Sequence, residues 1–241
     1  MRKSSFPRIS FLVAALAAGL AAGLAAAGVL HAAPPPRLEL DWELTKDGAT
    51  IAVIAQKYAQ ENGRYELTEA WEGRGLYRLL GSAKRVSRGI VGADGLRPLE
   101  YSDERSGRDP ERARFDWQAK TVTYQYKGPP TTIPFPPNVR DRLQFLLQFA
   151  FSPPSGERVA LDVIDGRGVS DQVYRLEGRE RFKTAAGDFD ALKLVRRKDD
   201  GDRAEIWLAA DRGYLPVRIL IVDRKGMRLD QFVTRIVEPG R

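Results

Sequence analysis

NVRDRLQFLLQFAF, residues Asn138 to Phe151, is the stretch on which the reading of this fold turns. Val139, Leu143, Leu146, Leu147 and Ala150 recur at helical spacing, and Phe145, Phe149 and Phe151 widen the apolar side. Asp141, Gln144 and Gln148 leave one narrow polar stripe. The pattern predicts an amphipathic helix over about 138–151, with Asn138 as N-cap and Asp141 in the first turn, where the helix dipole favours an anion. Pro153-Pro154 prevents its continuation. A lone helix this apolar needs a sheet to lie on.

That sheet is written on both sides of the segment. Leu38, Leu40, Trp42 and Leu44 alternate with Arg37, Glu39, Asp41 and Glu43, and the same period recurs in Val122, Tyr124, Tyr126 and in Val159, Leu161, Val163. Asp47-Gly48, Asn62-Gly63, Asp94-Gly95 and Asp165-Gly166 supply the positive-φ pairs that tight hairpins require. Leu76 to Leu80 reads as a further strand piece after Gly73 and Gly75. Roughly 12 to 14 strands at about 4.8 Å each would span on the order of 60 Å if flat, far more than one helix can cover. The sheet must curl until its apolar face covers itself around the helix. The expected fold is therefore mainly β, a large antiparallel meander curled into an open barrel or half-barrel with one helix in its mouth or concave face. The Pro-rich run Pro129-Pro130, Pro134, Pro136-Pro137 and the exit Pro153-Pro154-Ser155-Gly156 bracket an excursion from the sheet and not a domain boundary.

Residues 1–33 carry Arg2-Lys3 ahead of the uncharged run Phe11 to Leu30, the pattern of a secretory signal peptide, with cleavage expected near Ala25-Ala26-Ala27 or Ala32-Ala33. The run is also about 20 residues, long enough for an uncleaved inner-membrane anchor, which is the alternative. Residues 34–37 form a Pro-rich spacer, and 38–241 a single all-β domain. The address expected from this is the periplasm, with the membrane touched only through the N-terminal segment if it stays uncleaved.

Composition excludes more than it assigns. The net charge of +7 includes Arg2, Lys3 and Arg8; without them 36 basic residues face 32 acidic ones, interspersed in sign, which gives no electrostatic case for nucleic acid. There is no cysteine, and the sole histidine is His31, beside the expected cleavage region. Thiolate chemistry and disulfides go with the first, and, where cleavage falls after His31, imidazole-based triads and ordinary zinc sites go with the second. No cofactor is expected.

Several pieces then fall into one order: Ser87-Arg88-Gly89, Gly95-Leu96-Arg97-Pro98, Phe115-Asp116-Trp117, the helix start at Asp141, Ala186-Gly187-Asp188-Phe189 and Leu215-Pro216-Val217-Arg218. In that order and with those gaps the chain resembles the bacterial exported-protein family catalogued as domain of unknown function 3108, over roughly Leu38 to the C-terminus. Gln144 departs from the family, standing where a serine is expected. The resemblance implies an exported, mostly antiparallel β-domain of Gram-negative envelopes and carries no catalytic residue. More loosely, a curled sheet with a helix across its opening looks like lipocalin-like barrels or the half-barrels of lipoprotein carriers.

Two places can hold a ligand on this reading. Leu143, Phe145, Leu146 and Phe149 can wall an amphiphile beneath the helix, or fill the interior as packing. Tyr77, Arg78 and Arg85, within the basic run Arg74, Arg78, Lys84, Arg85, Arg88, can meet lipid phosphates or an anionic glycan, or form a solvated strand face. Asp103, Glu104, Asp109 and Glu111 hold the acids that glycoside hydrolysis needs, but an arginine stands beside nearly every one. Asp199, Asp200 and Asp202 lack the spacing and terminal glutamate of a calcium loop. Alternating strands also suit an outer-membrane barrel, although Lys57, Glu69 and Arg196 interrupt the apolar registers. Three functions remain in play: a non-enzymatic periplasmic protein binding an amphiphile or envelope component in its curled sheet, a structural or assembly factor acting by protein contact, and a carboxylate-dependent glycan hydrolase.

Overall fold

In a computed structural model the chain forms one sheet, described here over residues 34–239. The leader, anchor and cleavage expectations for residues 1–33 lie outside the described residues, as does the side chain of Leu80. The first half contributes β1 (Arg37–Lys46), β2 (Ala49–Glu61), β3 (Arg64–Gly73), β4 (Ser82–Gly92), β5 (Gly95–Arg105), β6 (Glu111–Asp116), β7 (Thr121–Gln125) and β8 (Thr131–Pro134). After the short β9 (Val139–Asp141) and the helix α1 (Gln144–Gln148) come β10 (Arg158–Asp165), β11 (Gly168–Thr184), β12 (Gly187–Arg197), β13 (Arg203–Ala209), β14 (Leu215–Val222) and β15 (Arg228–Val237).

All 15 strands lie in a single sheet in the order β8-β7-β6-β5-β4-β3-β2-β1-β15-β14-β13-β12-β11-β10-β9. Every neighbouring pair is antiparallel except β9 with β10. The C-terminal strand β15 pairs with β1, so the two halves of the meander are stitched together in the middle of the sheet. Its free edges are the four-residue β8, which ends in Pro134, and the three-residue β9. Short, proline-terminated edges offer little template for another strand. The expectation of an open curled sheet holds, and the curl brings β9 against β5 and β10 against β6. Behind the two edge strands, a side-chain contact bridges the curl, with Arg167 of the β10–β11 turn donating from Nε to Glu111 Oε1 of β6 at 2.7 Å.

The central segment departs from the predicted helix of 138–151. Val139–Asp141 pairs as a parallel strand with Asp162 to Ile164, and Asn138 exchanges backbone and side-chain hydrogen bonds with Asp162 instead of capping a helix. Only Gln144–Gln148 is α-helical. The helical spacing is real, but residues 139–141 find a ladder in β10, and that tertiary pairing overrides the local period. The unit is a β-α-β crossover: β9 and β10 run the same way, so the chain leaves one rim of the barrel after Asp141 and must return through the interior to start β10 at the other. A second departure is Gly75–Leu80, which is a 3-10 turn and not a strand.

The core follows from this crossing. Leu143, Leu147 and Ala150 join a large cluster with Leu38, Leu40, Trp42, Leu67, Phe115 and Val233. Phe145 and Phe149, about half a turn around the helix, join a second cluster with Leu161, Tyr174, Leu194, Ile206 and Leu208. A helix packed on opposite sides at once lies inside the sheet, not upon it.

Candidate functional site

The interior of the curled sheet holds two polar groups of residues, and both belong to positions that a core would ordinarily give to apolar side chains. The first fastens the crossover. Asp141, fully buried, accepts hydrogen bonds at Oδ1 from the amides of Leu143 and Gln144 at 2.8 and 2.7 Å. These are first-turn donors that α1 cannot satisfy itself, so Asp141 has the capping role expected of Asn138. Its Oδ2 accepts from Ser87 Oγ on β4 at 2.5 Å, and Ser87 Oγ lies 2.9 Å from the Tyr65 hydroxyl on β3. Burial pushes the Asp141 carboxyl up to about 6, against the lowering effect of Ser87 and the two amides.

Further along, the polar stripe of α1 grips the β4–β5 hairpin. Gln144 Nε2 donates to Leu96 O at 2.9 Å; Gln148 Oε1 accepts from Leu96 N at 2.8 Å while its Nε2 donates to Asp94 O at 2.7 Å. Gln144 Oε1 is buried without a partner among the described residues. Gly95 sits under this contact with φ +98°, and a Cβ there would lie 2.5 Å from Gln148 Nε2. Gly95→Ala therefore combines a strained backbone with the loss of the glutamine clamp, and a destabilisation of about 2 to 4 kcal/mol is expected in urea titrations.

The second group is ionic. Arg85 on β4 donates from Nη1 to Glu69 Oε1 at 2.8 Å and from Nε to Asp103 Oδ2 at 2.9 Å, while Arg105 Nη2 reaches Asp103 Oδ2 at 2.7 Å. Trp71 donates from Nε1 to Glu69 Oε1 at 2.6 Å, and its ring lies 5.1 Å from the Arg85 guanidinium carbon. Burial works against charge on both Arg85 and Asp103; the carboxylates around Arg85 nevertheless raise its pKa, and the hydrogen bonds from Arg105 and Arg85 hold Asp103 below the usual carboxylate range. Asp103 and Glu111 face each other across β5 and β6, but Arg167 neutralises the second as the arginines do the first. A general acid needs its pKa raised at an open surface, whereas Asp103 is buried and held low.

The residues expected to form ligand sites are thus in three places. Leu143 lies in the large core, Phe145 and Phe149 in the second, and Leu146 is packed partly buried against the latter. Tyr77 and Arg78 are exposed on the 3-10 turn, whereas Arg85 points inward to its ion pairs. Four grooves of about 440–620 Å³ are lined by other residues, none of them from 138–151. Asp200 and Asp202 accept amide hydrogen bonds from Asp202 and Arg224, the geometry of a polar hairpin turn. Among the described residues no group of three acids or histidines is placed to hold a metal, and no helix is long and apolar enough to cross a membrane.

Sequence reasoning missed Asp141, Ser87 and Tyr65 as a unit. Their only local signal was an acid and two glutamines on the face of an otherwise apolar segment, which reads equally as a wet stripe. Glu69 carried a clearer mark: it sits between Leu67 and Trp71 on an inward register, so it had to find an inward cation.

A curled, barrel-like β-sheet closed by side chains around an internal crossover defines the class. The profile of DUF3108, described as a protein of unknown function, matches residues 38–230, and the chain belongs to that family. Its fold is similar to that of a β-barrel-like protein of domain of unknown function DUF1849 from Brucella abortus, at a TM-score of 0.56 and 9% identity over 86% of this chain and 99% of that one. Weaker likenesses are to a protein described as exported, with a YmcC-like fold, from Bacteroides fragilis (TM-score 0.39, 13% identity, 85% of this chain and 97% of that) and to one described as a lipoprotein from Parabacteroides distasonis (0.35, 10%, 85% and 97%). The comparison with curated proteins gives no match.

Proposed function

We propose that residues 138–151 are a fixed plug and that this is a non-enzymatic, exported protein of the cell envelope acting by protein–protein contact, not by enclosing an amphiphile. The leader pattern of residues 1–33 supports export to the periplasm. The observation that carries the plug is the fastening of α1 on every side: two apolar faces in two cores, and a polar stripe bonded to the backbone of Asp94 and Leu96 and to Ser87. A movable lid would have to break the Asp141 and glutamine contacts together and expose Phe145 and Phe149. The outer groove of about 490 Å³ across β4 to β7, lined by Arg88, Glu100, Glu104, Arg112 and Arg114, offers mixed charge to a partner protein.

Native-state hydrogen exchange tests the plug. The amides of Leu143, Gln144 and Leu96 are expected to exchange only through global unfolding, with the protection of central strands. Local opening of these three amides well below the global free energy, or co-purification of extractable lipid with the protein, would return the function to amphiphile carriage. A photo-crosslinker at Ser102 in the outer groove is expected to give a discrete protein adduct in envelope preparations.

A further inference from the structure

The connection between β3 and β4 is longer than a hairpin needs, and it puts leucine into water. Residues 74–81 form the 3-10 turn, in which Leu76 is 84% and Leu79 86% exposed, with Tyr77 beside them at 36%. In a 3-10 helix residues three apart eclipse, so Leu76 and Leu79 project together from one side. The turn is held in place. Arg74 N donates to Ile51 O at 2.8 Å, Gly81 N to Arg78 O at 3.2 Å, and the following Ser82 exchanges hydrogen bonds with Ser106. At Gly73 a Cβ would lie 2.3 Å from the backbone oxygen of Tyr77, so the chain can double back this tightly only because that residue has no side chain.

The surroundings define what the leucines meet. Strand directions place the connections 47–48, 74–81, 106–110, 126–130, 166–167, 198–202 and 223–227 at one rim. Among the described residues the other exposed large apolar side chains, Val169 and Ile221, lie beside the 166–167 and 223–227 turns, at the same rim. The turn and the two connections that flank it in the sheet, 47–48 and 106–110, carry Arg74, Arg78 and Arg108 against Asp47 and Asp109, and Lys84 follows at the foot of β4; the acidic connection with Asp199, Asp200 and Asp202 lies between β12 and β13, away from the turn. Glu72 is the acid next to the turn and pairs with Arg74 at 3.5 Å. Two protruding leucines are too small a contact for a stable protein interface, which takes about 800 Å² per partner. An apolar tip flanked by Arg74, Arg78 and Arg108 suits an anionic bilayer surface, where leucine enters the acyl boundary and arginine stays with the phosphates.

We propose that this rim docks on anionic phospholipid, with Leu76 and Leu79 inserted and Arg74, Arg78 and Arg108 at headgroup level. The reading goes beyond the plug and does not depend on it. Because the chain has no cysteine, Leu79→Cys carries a single environment-sensitive dye, and Asn62→Cys, in the β2–β3 turn at the opposite rim, serves as its control. Full-length chain is mixed with vesicles of phosphatidylcholine alone or with about one third phosphatidylglycerol. The expected result is a blue shift and quenching by lipid-borne nitroxide at position 79 and not at 62, with anionic vesicles and not neutral ones. Adding Arg74→Glu and Arg78→Glu to the labelled chain is expected to weaken that signal about tenfold. A dye at 79 that stays in water, that embeds no more than the one at 62, or that is indifferent to vesicle charge would overturn the proposal. Position 79 is exposed and circular dichroism verifies that each variant keeps its β-structure, so a silent result counts against docking.

Discussion

Replacing Asp141 by alanine is expected to cost about 3 kcal/mol or more in urea-unfolding free energy, because three donors lose their acceptor at once in a site without water access. The asparagine variant is the sharper probe. It keeps an acceptor for the Leu143 and Gln144 amides and removes only the ionisable group. Burial raises the Asp141 carboxyl from its ordinary 3.8 to about 6, so the folded protein binds a proton that the unfolded chain has released across that interval. Stability from this group is complete below pH about 4 and is lost as pH rises through about 6. The gap between parent and Asp141→Asn is therefore expected to widen on acidification from pH 7 to 4, by on the order of 3 kcal/mol, while other titrations cancel in the difference. A gap that narrows on acidification would mean that Asp141 behaves as an ion-paired carboxylate, and the account of the clasp would be wrong.

What the sequence makes legible here depends on the range of the interaction. The turns at Asp47-Gly48 and Asn62-Gly63 are local chemistry and are where they were expected, the third hairpin turns one residue earlier, at Ala93-Asp94, with Gly95 opening β5, and the alternating strands around them assemble into a curled sheet because a dozen half-apolar strands have no other way to cover themselves. Residues 139–141 were misread for a physical reason: a short apolar stretch fits period 3.6 and period 2 alike, and what decides between them is β10, some twenty residues further on. Leu76 to Leu80 reads as a strand piece because a short apolar run after glycines carries no period of its own, and the fold leaves Leu76 and Leu79 exposed in a 3-10 turn. Asp141 finds Ser87 at a separation of 54 residues, and nothing at either position announces the other. The polar interior is therefore the part of this protein that only the folded chain displays, while its apolar frame can be read from the chain alone.

Arg85→Met is expected to be strongly destabilising. It strands Glu69, which then keeps only the Trp71 indole, and it takes one of two arginines from Asp103. Breaking a buried pair from one side costs about 3 to 5 kcal/mol, since the remaining charge stays desolvated. Arg88→Met, three residues along the same strand, removes an exposed pair with Glu66 and is expected to cost less than about 1 kcal/mol. Adding Glu69→Gln and Asp103→Asn to Arg85→Met is expected to recover much of the loss, because the penalty lies in the unpaired charges and not in the missing guanidinium. The pH dependence runs opposite to that of Asp141: Asp103 is held below its ordinary 3.8, so its contribution is present above that value and disappears as pH falls past it. Chemical denaturation of the single and triple variants at pH 7, and of the parent below pH 4, separates the two buried acids by sign. If Arg85→Met proves as mild as Arg88→Met, water reaches Glu69 freely, and the interior at that end of the barrel is open instead of filled.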